Sequence, residues 1–272
     1  MATKEHTNSN LDLRNAYELR VERLYKYMSP NHIGRDDLLS RETAYFAKPS
    51  ELNDPFECRP HIPEPSRLKR DSFIRDLVKR HESTPGVKPG VHGKRHLQAK
   101  LDRDFLAKTH AKSMENTGIF CVSSRNDILP LWSLYADGHK GFCVEIETTD
   151  NHMDPLTAAF EVIYRDDRPV VSIDDIRSLA NDTLVTEQAL ANSLCTKSAE
   201  WAFEEEYRAI TVGSTGKRSL PSGSISRVFL GARANDQTIN DVRQLTSALP
   251  KTPELLKAKL CSRSFSLEFE AI

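Results

Sequence analysis

The chain has no apolar run near the roughly 20 residues that a helix needs to cross a bilayer, and its mean hydropathy is −0.53. Its beginning, MATKEHTNSNLDLRN, has no apolar segment of the signal-peptide kind. A cytoplasmic protein with no membrane partner is therefore expected. Charge of one sign is missing too: 38 Lys and Arg stand against 39 Asp and Glu, a net −1. No whole-molecule field would draw such a chain onto nucleic acid or anionic lipid. Cysteine is scarce. Cys58, Cys121, Cys143, Cys195 and Cys261 are odd in number, scattered and never in a CxxC pair, which excludes a disulfide framework and a zinc knuckle. HExxH and HxH patterns are absent, so no metal site is implied. STGKRSL lacks the spacing of a phosphate loop, and no GxGxxG turn or βαβ rhythm supports a dinucleotide fold. Aromatic residues make up only 7% of the chain, so the places where they gather with polar groups stand out.

At 272 residues the chain suits one large domain. The expected organisation is a polar N-terminal tail over 1–16, then a single domain over 17–272 with a helical insertion at about 66–116. Strands are expected at RLYKYM, TAYFA, GIFCVS, GFCVEIE, AFEVIY, SISRVFLGA and SFSLEF, and in WAFEEEYRAITV from Glu206 onward. Helices are expected at LDLRNAYELRVER, LPLWSLYADG, the SIDDIRSLANDTLVTEQALANSLCTKSA stretch, NDQTINDVRQLTSAL and LLKAKL, with STGKRSLPSGS as a loop. Within the insertion, Leu68, Phe73, Ile74, Leu77 and Val78 mark one amphipathic helix, and Leu97, Leu101 and Phe105 a second. Its basic residues are interleaved with acids, as on a solvated surface. Strands and helices alternate without a parallel-sheet rhythm. The fold class expected is α+β, with a mixed, mostly antiparallel sheet.

Candidate chemistry falls in a few places. In NDPF, Asn53 and Asp54 can fold their side chains onto backbone N–H groups while Pro55 fixes the turn and Phe56 anchors it; the same rigid loop would also suit a pocket wall. Trp132, Tyr135 and His139 share a helical face if the helix runs that far, though Gly138 and Gly141 mark a stop. Glu204, Glu206 and Arg208 share a face if WAFEEEYR is a strand, with the two carboxylates about 7 Å apart from a rise of roughly 3.3 Å per residue. If it is helical, Trp201 lies over Glu204 or Glu205. Two close carboxylates need a cation or a hydroxyl-rich ligand between them. Arg208 is one such cation and a ligand is the other possibility.

LYKYMS, YFAKPSELNDPFE, LWSLYADGHKGF and WAFEEEYR, in this order, resemble the bacterial family of unknown function numbered twenty-nine seventy-one. Leu52, Glu57 and Phe203 are the modest departures from its pattern. The order of elements is in turn similar to the ADP-ribosyltransferase arrangement. That resemblance implies NAD as the donor, with a first ligand-binding strand at Tyr25, Lys26 and Tyr27, a second at Tyr45, and a late Glu-x-Glu at Glu204 and Glu206. It implies that Glu206 holds the ribose and stabilises the developing cation, that Glu204 orients or deprotonates the acceptor, that Lys26 meets the pyrophosphate, and that Tyr45 or Tyr27 stacks on nicotinamide. Asn53, Asp54, Trp132, Tyr135 and His139 complete the candidate nucleotide-binding set. The acceptor would be a protein or a nucleic acid, and the family resembles components of phage-defence or toxin systems. Two other readings stay open: a non-catalytic module that binds a nucleotide or a protein, and a metal-dependent nuclease in which Glu204, Glu206 and Asp54 converge.

Overall fold

Short apolar runs, buried on both faces, build the centre of the structure, a computed structural model that describes residues 13–33, 37–82, 102–151, 154–179 and 187–272. Up to residue 147 the described elements are β1 (Arg23–Met28), α1 (Leu38–Arg41), β2 (Thr43–Phe46), α2 (Arg67–Glu82), α3 (Arg103–Met114), β3 (Gly118–Ser123), α4 (Leu129–Leu134) and β4 (Phe142–Glu147). Then come β5 (Phe160–Glu161), β6 (Ile163–Arg165), α5 (Ile173–Leu179), α6 (Glu187–Leu194), β7 (Thr196–Ser198) and β8 (Glu206–Thr211). The chain finishes with β9 (Gly216–Ser219), β10 (Ile225–Leu230), α7 (Asp236–Thr246), β11 (Glu254–Leu260) and β12 (Leu267–Ala271). Two compact units result. A sheet unit comprises 13–52, 116–164 and 198–272, and a helical unit draws its described residues from 53–115 and 165–197.

The main sheet of the sheet unit has eight strands in the order β12-β11-β10-β4-β1-β3-β8-β5. Every neighbouring pair is antiparallel except β10 and β11. A parallel pair needs a crossover, and α7 supplies it. That helix starts where Asn235 Oδ1 accepts the Thr238 N–H at 2.9 Å. The fold class is thus α+β with a mixed, mostly antiparallel sheet. One sheet face buries Leu24, Phe120, Val144, Ile146, Ala209 and Val228 with Val242 of α7. The other packs Tyr27, Cys143 and Phe229 under Trp132 of α4, with Leu267 of β12 at its margin. Cys143 is fully buried there and its thiol is pushed well up by desolvation, so it acts as a small apolar side chain.

Several expectations are corrected. LLKAKL is not a helix but most of β11, because pairing with β10 sends Leu256 and Ala258 into the core under Trp132. GKRS, expected as loop, is β9, and it pairs with β2; TKS, at the end of the expected long helical stretch, is the strand β7. LDLRNAYELRVER forms turns instead of a helix over its described part: Asn15 and Glu18 cap each other's backbone N–H groups, and buried Ala16 bonds to Ala159. Residues 1–12 of the expected tail lie outside the described residues.

In the helical unit, Phe73 and Ile74 of α2 and Leu106 of α3 meet Ile62, Ile173 and Ile176. Leu68 is instead 82% exposed, and Leu106 rather than Phe105 supplies the buried position in α3. The side chains of Leu77 and Val78, and all of Leu97 and Leu101, lie outside the described residues. Among the described residues, no helix is long and apolar enough to cross a membrane.

Candidate functional site

The chain approaches β8 through a 3-10 turn, Ala199–Glu204, capped by Ser198, whose Oγ accepts the Glu200 N–H. Three residues per turn place Trp201 and Glu204 on one edge of it. Glu205 then adopts the left-handed conformation, φ 43° and ψ 51°, and turns the chain into the strand. The helical reading of WAFEEEYR therefore holds up to Glu204 and the strand reading from Glu206. Three consecutive carboxylates part company as a result. Glu204 is buried and accepts the Tyr135 hydroxyl at 2.8 Å. Glu205 stays at the surface, receiving Ser124 Oγ at 2.8 Å and Arg125 Nη1 at 3.1 Å. Glu206 lies in the strand, two residues before Arg208 on the same face, and receives Arg208 Nε at 2.9 Å and Nη2 at 3.1 Å. Arg208 itself has no exposed surface.

Register extends this corner across the sheet. Glu145 of β4 is opposite Tyr25 of β1, Tyr25 opposite Ser123 of β3, and Ser123 opposite Glu206 of β8. The four share one face and form a row across four adjacent strands. Glu145 is 1% exposed. It accepts the Tyr25 hydroxyl at 3.0 Å and Ser226 Oγ at 2.7 Å, with Arg23 Nε at 3.9 Å and Arg227 Nη1 at 3.7 Å. Burial and the Glu145 charge hold the Tyr25 phenol well above its ordinary value. At the other end, Ser123 Oγ donates to the Glu204 carbonyl at 2.7 Å, tying the turn to the row. Sequence reasoning missed Glu145, Ser123 and Arg125. For Glu145 a signal existed, since an acid in the inward phase of the apolar run FCVEIE needs partners to be buried.

The remaining candidates disperse. Tyr27 donates to the Arg125 carbonyl at 2.9 Å, accepts the Ile128 N–H at 3.2 Å, and meets Trp132 edge-on with ring centroids 5.4 Å apart. Trp132 has no exposed surface and gives its Nε1–H to the Asn126 carbonyl. Both are engaged in packing. His139 follows α4 at φ 67° and stacks on Trp132 at 5.9 Å. Burial, then the Arg233 charge, lowers its pKa. Lys26 faces the other way from Tyr25 and Tyr27, because neighbours in a strand alternate; its Nζ donates to the Cys121 carbonyl at 2.9 Å and sits over the Phe120 ring. A joint Tyr25, Lys26 and Tyr27 ligand set is not formed. Tyr45 points to solvent from β2 and donates to Glu51, while Ala44 and Phe46 beside it enter the core.

Asn53 and Asp54 belong to the helical unit. Asp54 Oδ1 accepts the Phe56 N–H at 2.9 Å, the expected turn. Phe56 does not anchor it, being 66% exposed. Glu57 is a buried acid of the loop, paired with buried Lys197 at 2.9 Å. Among the described residues, no group of three or more His, Cys, Asp or Glu is arranged to hold a metal ion.

No curated protein and no solved structure matches the chain. The LYKYM and NDPF stretches lie outside the span that a family model matches. Residues 131–209, which carry Tyr135, Glu204 and Glu206, match the model of the family described as protein of unknown function (DUF2971), the family that the four motifs resemble.

Proposed function

We propose that Glu204 and the polar row ending at Glu206 form a nucleotide site, and that its reaction is transfer of ADP-ribose from NAD. The observation that carries this reading is a pair of neighbouring buried carboxylates in different settings, Glu206 clamped by a guanidinium and Glu204 bonded to a phenol. Environments that differ in this way suit two carboxylates for different roles in one reaction. Cleaving the bond from ribose to nicotinamide develops cationic character on the sugar. Glu206, fixed by two hydrogen bonds, would stabilise that charge without having to reorganise. Glu204 would take the proton of the acceptor nucleophile as it bonds to the ribose carbon and nicotinamide leaves with the bonding electron pair. Tyr25 and Ser123 lie between Glu145 and Glu206 and would meet sugar hydroxyls. The acceptor would be a protein, a nucleic acid or water. Unchecked transfer in a cytoplasm would make such a chain a toxin or a phage-defence effector.

A second reading is favoured by Arg208. Because its guanidinium covers both oxygens of Glu206, the pair also serves as a structural element of a module that binds a nucleotide without turning it over. The deciding experiment measures nicotinamide release from NAD with cell lysate as the acceptor source, beside calorimetric NAD binding. Release that falls by about a hundredfold or more in a folded Glu204→Gln variant supports transfer. Binding without release in the wild type selects the module. Neither binding nor release removes NAD from the account.

A further inference from the structure

Trp201 and Phe203 ride on the 3-10 turn that ends at Glu204. Their ring centroids lie 5.9 Å apart with the planes inclined at 44°. Phe203 is 38% exposed and Trp201 is half-buried, whereas Trp132, Phe46 and Phe142 in the same unit are fully buried. The large rings of the core are enclosed, whereas this pair keeps part of its ring surface open to solvent. The surroundings on the turn are acidic. Glu200 lies in its first turn, Glu204, bonded to Tyr135, at its end, and Glu205, paired with Arg125, at its C-cap, with no basic residue in the last turn itself. The negative face of an indole beside carboxylates attracts a cation, and a flat cation gains stacking as well.

We infer that Trp201 and Phe203 form a platform for a planar, positively charged ring, set one helical turn from the Glu204 carboxylate. The identity of that ring rests on the NAD reading: oxidised nicotinamide is flat and cationic, while its reduced form is neutral and puckered. The platform selects the oxidised form before any bond is broken. It also replaces Tyr27 and Tyr45 as the stacking group, since the first is buried edge-on against Trp132 and the second lies on a strand outside the polar row.

The chain has two tryptophans, and Trp132 has no exposed surface, so quenching by a ligand reports Trp201. The test titrates wild type, Trp201→Phe and Trp201→Ala with NAD, NADH, 1-methylnicotinamide and nicotinamide, following calorimetry in all three and tryptophan fluorescence in the wild type. NAD is expected to bind about tenfold more tightly than NADH to wild type, with quenching; Trp201→Phe keeps most of that preference and Trp201→Ala loses it. Equal affinity for the two forms in wild type, or an unchanged preference in Trp201→Ala, overturns the platform even if NAD is turned over elsewhere on the face. Binding of 1-methylnicotinamide but not NAD, with neutral nicotinamide rejected and Trp201 quenched, keeps the platform and overturns the NAD reading. Failure of all four ligands overturns both.

Discussion

At the scale of single residues, Arg208 decides most. It is the largest charged side chain without exposed surface, and its Nε and Nη2 both meet Glu206. Removing one member of a buried pair strands the other charge in a poor solvent. Arg208→Met is accordingly expected to lose about 3–5 kcal/mol in urea unfolding. The double variant Glu206→Gln with Arg208→Met should recover part of that loss, because Glu206 no longer leaves a charge without its guanidinium. Simple additivity of the two single changes would show that the pair is not the source. The Glu206 and Arg208 contact was legible in the sequence, being two residues apart in a period-two stretch. The partners of Glu145 were not. Tyr25 and Ser226 are 120 and 81 residues away in the chain, and only strand order makes them neighbours.

At the scale of elements, Gly141 shows how closely the pieces of the site are fitted. It joins α4 to β4, and a Cβ placed on it would lie 2.1 Å from the Met28 carbonyl oxygen at the end of β1. Backbone, unlike the tip of a long side chain, cannot step aside without breaking the ladder that sets Tyr25 opposite Glu145. Gly141→Ala should therefore cost about 1–3 kcal/mol, read as a lower thermal midpoint. A wild-type melting curve would show that β1 and β4 have slack. The same scale explains which elements could be read. RLYKYM, GIFCVS and FCVEIE are short runs rich in apolar, aromatic and β-branched residues and are strands. LLKAKL fits a helix turn and a strand equally, and GKRS has almost no pattern; each became a strand because an edge was there to pair with it.

At the scale of the whole molecule, each unit has its own apolar core, and the helical one holds a buried histidine. His110 of the helical unit is 2% exposed, with Nε2 3.0 Å from Ser193 Oγ. Desolvation lowers its pKa from 6.5 to about 4. Between those values the unfolded chain binds the proton and the folded one does not. The stabilisation is therefore complete above the unfolded value and is lost as pH falls towards the folded one, by about 3 kcal/mol at most. Hydrogen exchange should show α3 and α6 losing protection between pH 6.5 and 4 while β1 and β4 keep theirs, and His110→Asn should remove the difference. Protection in α3 that does not change with pH would refute it.

The sequence by itself determined the fold class, the place of most central strands and the turn at Asp54, because each follows from local composition and spacing. It could not determine which way three successive glutamates point. The left-handed Glu205 decides that, held from Ser124 and Arg125 some eighty residues earlier in the chain. Nor could it separate Lys26 from Tyr25 and Tyr27 as ligands, or find Glu145, since both depend on which strand lies beside which. Periodicity tells a residue which face it takes. Only the packed sheet tells it what waits on that face.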